Sequence, residues 1–316
     1  MTPNPLVPDL ARAAAAAAHA QDPDCPCAET RTLADRADGT VVRHGAAVAK
    51  AHAPDADSAA LAVRLETAAR LPEVLLPPLP GSPTSLGNRP VTCWPYGTPV
   101  DPQDPDSAPW EAAGTLLARL HRRPPLPGTP TMRGPEKAAR AVDRLRSALA
   151  GHPCRAAGPV LRAWRTLPAW ARAETPAPGG APALCHGDFH LGQLVRHPAP
   201  HGPWRLIDVD DLGTGVAAWD LARPAAWFAC GLLSPEEWDR FLAAYRAAGG
   251  PAVGAHGDPW ATLDVPARAL TVQTAATAVA KAVRADRTLD EVEMSLIDAC
   301  VRMASVPAEL TRETAK

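Results

Sequence analysis

The residues with chemistry to offer crowd into one stretch, Leu184 to Arg223 of this 316-residue chain: LCHGDFHLGQLVRHPAPHGPWRLIDVDDLGTGVAAWDLAR. Two short apolar runs, Leu184-Cys185 and Leu206-Ile207, each end in a loop that presents carboxylates. The first loop offers Asp188, with His186 and His190 beside it, and the second offers Asp208, Asp210 and Asp211. Between them lie Leu194-Val195 and a breaker-rich turn, Pro198 to Pro203. The pattern is that of a hairpin-like β unit with acids at its ends. Carboxylates placed at strand ends beside Gly and His can hold Mg²⁺ and orient a hydroxyl for phosphoryl transfer.

HGDFHLGQ resembles the catalytic loop of the aminoglycoside phosphotransferase family, antibiotic kinases that share the protein-kinase-like fold. That loop reads HGD-x-H-x-x-N and is followed by an ID-x-[DE] strand end and a D-L-A segment, met here as Asp220-Leu221-Ala222. The resemblance makes Asp188 the catalytic aspartate and Asp208 a metal ligand. Gln193 stands where the family has Asn, with the same amide oxygen on a longer stem. Maltokinase-like members of the superfamily also carry an HLGQ ending. His186 is expected to anchor the loop, His190 to touch substrate or phosphate or to be structural, Asp210 to reach the cleft, and Asp220 to bond the loop backbone. A single HGD triplet is weak, and Asp is common turn chemistry; the three segments in order carry the resemblance.

The elements that must position these groups are legible upstream. Leu10 to Gln21 reads as a helix rich in the best helix former. Thr30–Ala34, Thr40–His44 and Ala46–Ala51 read as short strands, with turns at Asp38-Gly39 and His44-Gly45. The third strand carries Lys50, the only lysine before Lys137. The resemblance gives Lys50 the phosphates and pairs it with a helix glutamate, Glu66 on the helix Asp57–Leu71, with Glu73 as a second candidate. A fourth strand is expected near Val74–Leu76 and a fifth at Val91–Tyr96. In the family the fifth strand leads into a hinge whose backbone bonds the purine; this places Cys93, Trp94 and Tyr96 at the base, with the two aromatics as walls of its pocket or as core. The turn Arg36 to Thr40 has one glycine, a thin version of the kinase phosphate loop, and no Walker motif is present.

Beyond the hinge, Trp110–Arg122, Glu136–Leu149, Pro159–Ala173, Leu221–Cys230, Ser234–Ala248, Trp260–Arg284 and Leu289–Val306 read as helices. Ser234-Pro235-Glu236-Glu237 is a well-formed helix start. The expected class is therefore α+β: a bilobal protein-kinase-like fold with a small antiparallel-sheet lobe over 1–96 and a larger, mainly helical catalytic and acceptor lobe over 97–316.

Composition narrows the rest. A formal net charge of −2 gives no general affinity for polyanions, so no nucleic-acid partner is expected. No apolar run is long enough to span a bilayer, no export signal is evident, and a cytoplasmic location is expected. Seven scattered cysteines suit reduced thiols. Cys25-Pro-Cys27 lacks a second Cys/His pair at finger spacing, so the sequence does not call for zinc. The activity expected is ATP- or GTP-dependent, Mg²⁺-assisted phosphorylation of a small-molecule hydroxyl. An antibiotic of aminoglycoside or nucleoside type is the first choice of acceptor; a sugar or small metabolite, or a non-catalytic binding role, are the alternatives.

Overall fold

A computed structural model describes residues 4–25, 29–36, 39–177 and 182–305. The turn residues Ala37 and Asp38, Cys27, part of the Thr175–Pro182 loop and Val306 lie outside these residues. The chain divides into two compact units. One comprises Met1–Ala108, Leu126–Pro130 and Leu191–Asp210; the other comprises Pro109–Pro125, Thr131–His190 and Asp211–Lys316. The first unit thus takes in residues 191–210, which the expected boundary at residue 96 assigns to the second.

The first unit is built on a five-stranded antiparallel sheet in the order β1-β2-β3-β5-β4. Its strands are β1 (Thr30–Arg36), β2 (Gly39–His44), β3 (Ala47–His52), β4 (Thr84–Leu86) and β5 (Arg89–Pro95). Helix α1 (Leu6–Gln21) covers one face. Side chains alternate across a strand, so Ala49, Ala51, Val42 and Val91 meet Leu10 and Ala14 of α1 in a buried cluster. The same alternation sends Lys50 to the opposite face. Residues paired directly across strands share a face, and Lys50 pairs with Val41 and Thr92, Val48 with Arg43 and Trp94. That second face therefore carries Lys50, Thr92, Trp94 and Arg43.

Val74–Leu76 is not a strand of this sheet. Pro77, Pro78 and Pro80 follow it and lack the N–H groups a ladder needs. Leu75 instead makes an isolated parallel bridge to Leu206. A smaller sheet of β6 (Thr98–Pro99), β8 (Leu194–Arg196) and β9 (Trp204–Leu206) draws residues 191–210 into this unit. Helix α2 (Ser58–Arg70) is capped by Asp57, whose carboxylate accepts from the N–H groups of Ala59 and Ala60.

The second unit is mainly helical: α3 (Trp110–His121), α4 (Gly134–Leu149), α5 (Ala157–Thr166), α6 (Ala218–Ala229), α7 (Pro235–Ala247), α8 (Trp260–Ala285) and α9 (Glu291–Ser305). Ser234 and Glu237 close a full capping box at the start of α7. The expected helix Pro159–Ala173 ends early, at Thr166, because Pro168 follows; Ala169–Arg172 is a separate short turn. A two-stranded pair, β7 (Ala183–Cys185) with β10 (Gly213–Gly215), carries the HGD loop at its end. Among the described residues no helix is long and apolar enough to cross a membrane.

Candidate active site

In the second unit, β7 runs out at Cys185 and the chain turns through His186, Gly187 and Asp188. Gly187 has φ +83°, and a Cβ there would lie 2.3 Å from the carbonyl oxygen of Asp211, so no larger residue fits. The loop backbone is pinned by Asp220, in the first turn of α6. Its Oδ2 accepts from His186 N at 2.5 Å and its Oδ1 from Gly187 N at 2.8 Å. Asp220 is itself fully buried, and His121 Nε2 donates to it at 3.0 Å. His121 Nδ1 lies 2.8 Å from the Tyr245 hydroxyl, which accepts from Ala252 N. Burial alone would raise the Asp220 carboxyl; His121, then His186 and the Gly187 N–H, bring it below the usual carboxylate range. His121 stands in the last turn of α3 and belongs to no motif. Its partners come from α6 and α7, and nothing in local spacing reveals them.

Phe189 stacks on Phe241 with centroids 6.3 Å apart and fixes the loop's far side. Asp188 then lines a small open cleft together with Lys137, Phe189, Trp219, Arg223, Leu270 and Gln273. Lys137 Nζ lies 2.9 Å from one oxygen of Asp188, and Arg223 donates to the other at 3.0 Å. Burial pushes the Asp188 carboxyl up, but Lys137 and then Arg223 outweigh it and hold the group down at about 2. Lys137 also reaches Asp211 at 2.5 Å, and Arg133 makes two further bonds to that carboxylate. Burial lowers Lys137, yet Asp211 and Asp188 raise it above the ordinary lysine value. This cluster is not legible in the sequence, because Arg133 and Lys137, one turn apart at the start of α4, meet Arg223 of α6 only through the fold. His190 is half-buried two residues beyond Asp188.

The first unit carries its own constellation. Lys50 Nζ sits 2.6 Å from Asp208 Oδ1 and 2.9 Å from Asp210 Oδ2. Gln193 Nε2 donates to Asp208 Oδ2 at 3.1 Å. His52 Nδ1 lies 3.3 Å from Asp210, and its Nε2 2.9 Å from the Thr92 hydroxyl. Burial works against the charge on Lys50, but Asp208 and Asp210 raise it above the lysine range. Burial likewise opposes the charge on Asp210, and His52 with Lys50 drives that carboxyl well down. Asp208 has φ +64°, a left-handed backbone that costs about 1 kcal/mol for a residue with a Cβ. The turn aims its carboxylate at Lys50.

Two expectations need correction here. Lys50 pairs with Asp208 and Asp210, not with Glu66. Glu66 is exposed on α2, whose buried positions are Leu61, Arg64, Leu65, Thr67 and Ala68, and it bonds Arg70 one turn on. Cys93 faces the α1 core, on the opposite side of the sheet from Lys50 and Trp94. Its N–H donates to Ser82 Oγ and its carbonyl accepts from Leu79 N. Tyr96 is similarly engaged: its N–H donates to Ala46 O, its carbonyl lies 3.3 Å from His197 Nδ1, and Arg43 lies over its ring at 3.4 Å. The backbone groups expected to read a purine at Cys93 and Tyr96 thus already have partners. Trp94 stands on the Lys50 face, with its indole N–H on Thr92 Oγ1.

The donor atoms gathered around Lys50 are the carboxylate oxygens of Asp208 and Asp210, with Gln193 meeting Asp208 through its Nε2–H. They already hold a cation, the ammonium of Lys50, and a set of this kind suits a hard divalent ion such as Mg²⁺.

Known proteins bear on these constellations. The chain is similar in structure to a choline/ethanolamine kinase family protein from Mesorhizobium loti, with a TM-score of 0.57 at 16% identity, covering 91% of this chain and 92% of that one. A spectinomycin phosphotransferase solved with ADP and spectinomycin gives 0.58 at 14%, covering 90% and 94%. A choline kinase from Streptococcus pneumoniae gives 0.56 at 11%, covering 92% and 98%. At these identities the likeness establishes the α+β kinase-like fold. No curated protein matches the chain by sequence. A family model described as the phosphotransferase enzyme family, APH, matches residues 37–261, a span that takes in β2, β3, the HGD loop, Asp208 and Asp220. Since that span is well over half of the 316 residues, the chain belongs to the APH phosphotransferase enzyme family.

Proposed function

We propose that this phosphotransferase moves the γ-phosphoryl group of ATP or GTP to a hydroxyl of a small, neutral or anionic molecule, with a nucleoside-type antibiotic as the first candidate. The observation that carries the reading is Asp188, ionised and held from two sides at the wall of a partly aromatic cleft. A carboxylate held down at about 2 is a weak base. It remains a strong hydrogen-bond acceptor, and a loose phosphoryl-transfer transition state asks for orientation of the hydroxyl more than early proton removal. Asp188 therefore fixes the acceptor oxygen in line and takes its proton late.

Lys50 sets its ammonium against the nucleotide phosphates, and Asp208 and Asp210 would hold Mg²⁺, joined by Gln193 once its amide turns its oxygen, in place of Nε2, toward the ion. Mg²⁺ held there would supply charge neutralisation at the terminal phosphates. Trp94, on the Lys50 face of the sheet, walls the base. Asp220 keeps the HGD loop in shape through its two backbone bonds, and the HGD-x-H motif assigns His190 a contact with the acceptor or its phosphate.

Charge argues the acceptor class. Arg133, Lys137 and Arg223 stand against Asp188 and Asp211, three cations to two carboxylates. Such a site repels a cation, so a polycationic aminoglycoside fits it poorly, and the monocations choline and ethanolamine are disfavoured less strongly, whatever the similar structures act on. Gln193 favours one second reading, a sugar or small-metabolite kinase, through the HLGQ ending it shares with maltokinase-like proteins. A mass-spectrometric screen for gain of one phosphoryl group, with ATP and GTP in turn, tests both. Nucleoside antibiotics and sugars are expected to react and aminoglycosides not; reaction confined to polycations would overturn the acceptor class.

A further inference from the structure

We infer that the first unit holds a zinc-type metal site, made by His19, Cys25 and His44, on the α1 side of the sheet. His19 lies in the last turn of α1, Cys25 in the turn that follows it, and His44 at the end of β2. One ligand atom from each lies within 4.8 Å of the other two. The rings of His19 and His44 meet edge to face, 5.6 Å between centroids. In a tetrahedral zinc site with bonds of about 2.0–2.3 Å, ligand atoms stand roughly 3.3–3.8 Å apart. Side-chain rotation of about an ångström closes the cluster onto an ion of that kind.

An independent observation points to a ligand. His44 is buried, and its Nε2 has no hydrogen-bond partner among the described residues. A buried ring nitrogen left unmatched is destabilising, so this position calls for an occupant. The other ring nitrogen has a partner that suits a metal-binding tautomer. His44 Nδ1 lies 3.0 Å from the hydroxyl of Thr30, its cross-strand partner. With Nδ1–H donating to that oxygen, Nε2 carries the lone pair; metal-bound histidines are held in this way by a partner on the far nitrogen.

The backbone makes room for the thiol. Gly45 has φ +52°, and a Cβ there would come within 3.2 Å of Cys25 Sγ. Two imidazoles and one thiolate form a nitrogen and sulfur set, which selects Zn²⁺ over Mg²⁺ or Ca²⁺. Binding releases the Cys25 thiol proton to solvent and leaves both histidines neutral. The fourth position goes to water or a further ligand. Spacing alone hid the site, since its ligands come from a helix, a turn and a strand end. An ion here ties the end of α1 to β2, while Lys50 faces the other side of the sheet. The site is thus structural and separate from phosphoryl transfer.

Titration of the full, metal-stripped chain with Co²⁺ and Zn²⁺ tests the proposal. One Co²⁺ per chain is expected, with a thiolate-to-cobalt charge-transfer band in the near ultraviolet, displaced by one Zn²⁺. Cys25→Ser should remove the band, and His19→Ala should weaken binding at least tenfold, with circular dichroism unchanged in both. Zn²⁺ should also shield Cys25 of the wild-type chain from alkylation, read by peptide mass spectrometry, which serves if a variant does not fold. No thiolate band in the wild type, a band that survives in Cys25→Ser, or alkylation of Cys25 unaffected by Zn²⁺ would overturn the assignment. Co²⁺ bound at the carboxylates of Asp208 and Asp210 gives no thiolate band and does not mimic the expected result.

Discussion

Asp188 owes its charge to two neighbours, and that dependence can be read in pH profiles. With Lys137 and Arg223 in place the carboxyl sits at about 2 and Lys137 is raised, so neither titrates between about pH 5 and about pH 9. Replacing Lys137 by Met removes the largest of the charges holding the carboxyl down. The acid limb of kcat/KM in Lys137→Met should then move to higher pH than in the wild type; an unmoved limb would contradict the pairing. The same depressed value affects stability. A carboxyl lowered on folding adds stability that is complete above its unfolded value near 4 and is lost as pH falls through about 2. Melting temperature between pH 5 and pH 2.5 should therefore fall less steeply for Asp188→Asn than for the wild type. At this scale the motif made Asp188, Asp208 and Lys50 legible, because their spacing is local. The partners were not: Glu66 sits one position off the buried stripe of its helix, and Lys137 and Arg223 reach Asp188 from α4 and α6.

The HGD loop is held as an element by Asp220, His121 and Tyr245, three residues from three helices sharing one buried chain of hydrogen bonds. Asp220→Asn puts an NH₂ where one of three donors expects an acceptor. Loss of one member of a buried charged network costs about 3–5 kcal/mol. Urea unfolding should show a loss of that order, and transfer should fall with it; an unchanged unfolding midpoint would remove Asp220 from its supporting role. On the first unit, Leu10 is fully buried between α1 and the sheet. Leu10→Ala should cost roughly 2–5 kcal/mol, checked in the same assay. The helices were legible from periodicity and capping, with ends shifted by a few residues. The strand expected at Val74–Leu76 was not, since its apolar residues bridge to Leu206 instead of joining the sheet.

As a whole, the molecule splits its chemistry between two units. Lys50, Asp208, Asp210 and Gln193 belong to the first, and Asp188, Lys137, Arg133 and Arg223 to the second. The order of motifs along the chain gave the family and the α+β class. The return of residues 191–210 to the first unit was illegible, because it depends on β8 and β9 pairing with β6 far upstream. If Asp208 serves the nucleotide and Asp188 the acceptor, their losses should separate. Calorimetry is expected to show Mg²⁺-dependent nucleotide binding lost in Asp208→Ala and retained in Asp188→Asn. The most direct test compares wild type and Asp188→Asn for transfer of the γ-phosphoryl group to the acceptor found in the screen, at saturating nucleotide. The account expects a fall in kcat of at least about 10²-fold in a variant that still unfolds cooperatively at neutral pH, its melting temperature lowered only by the lost ion pairs of Asp188; turnover in the variant near that of the wild type would contradict it.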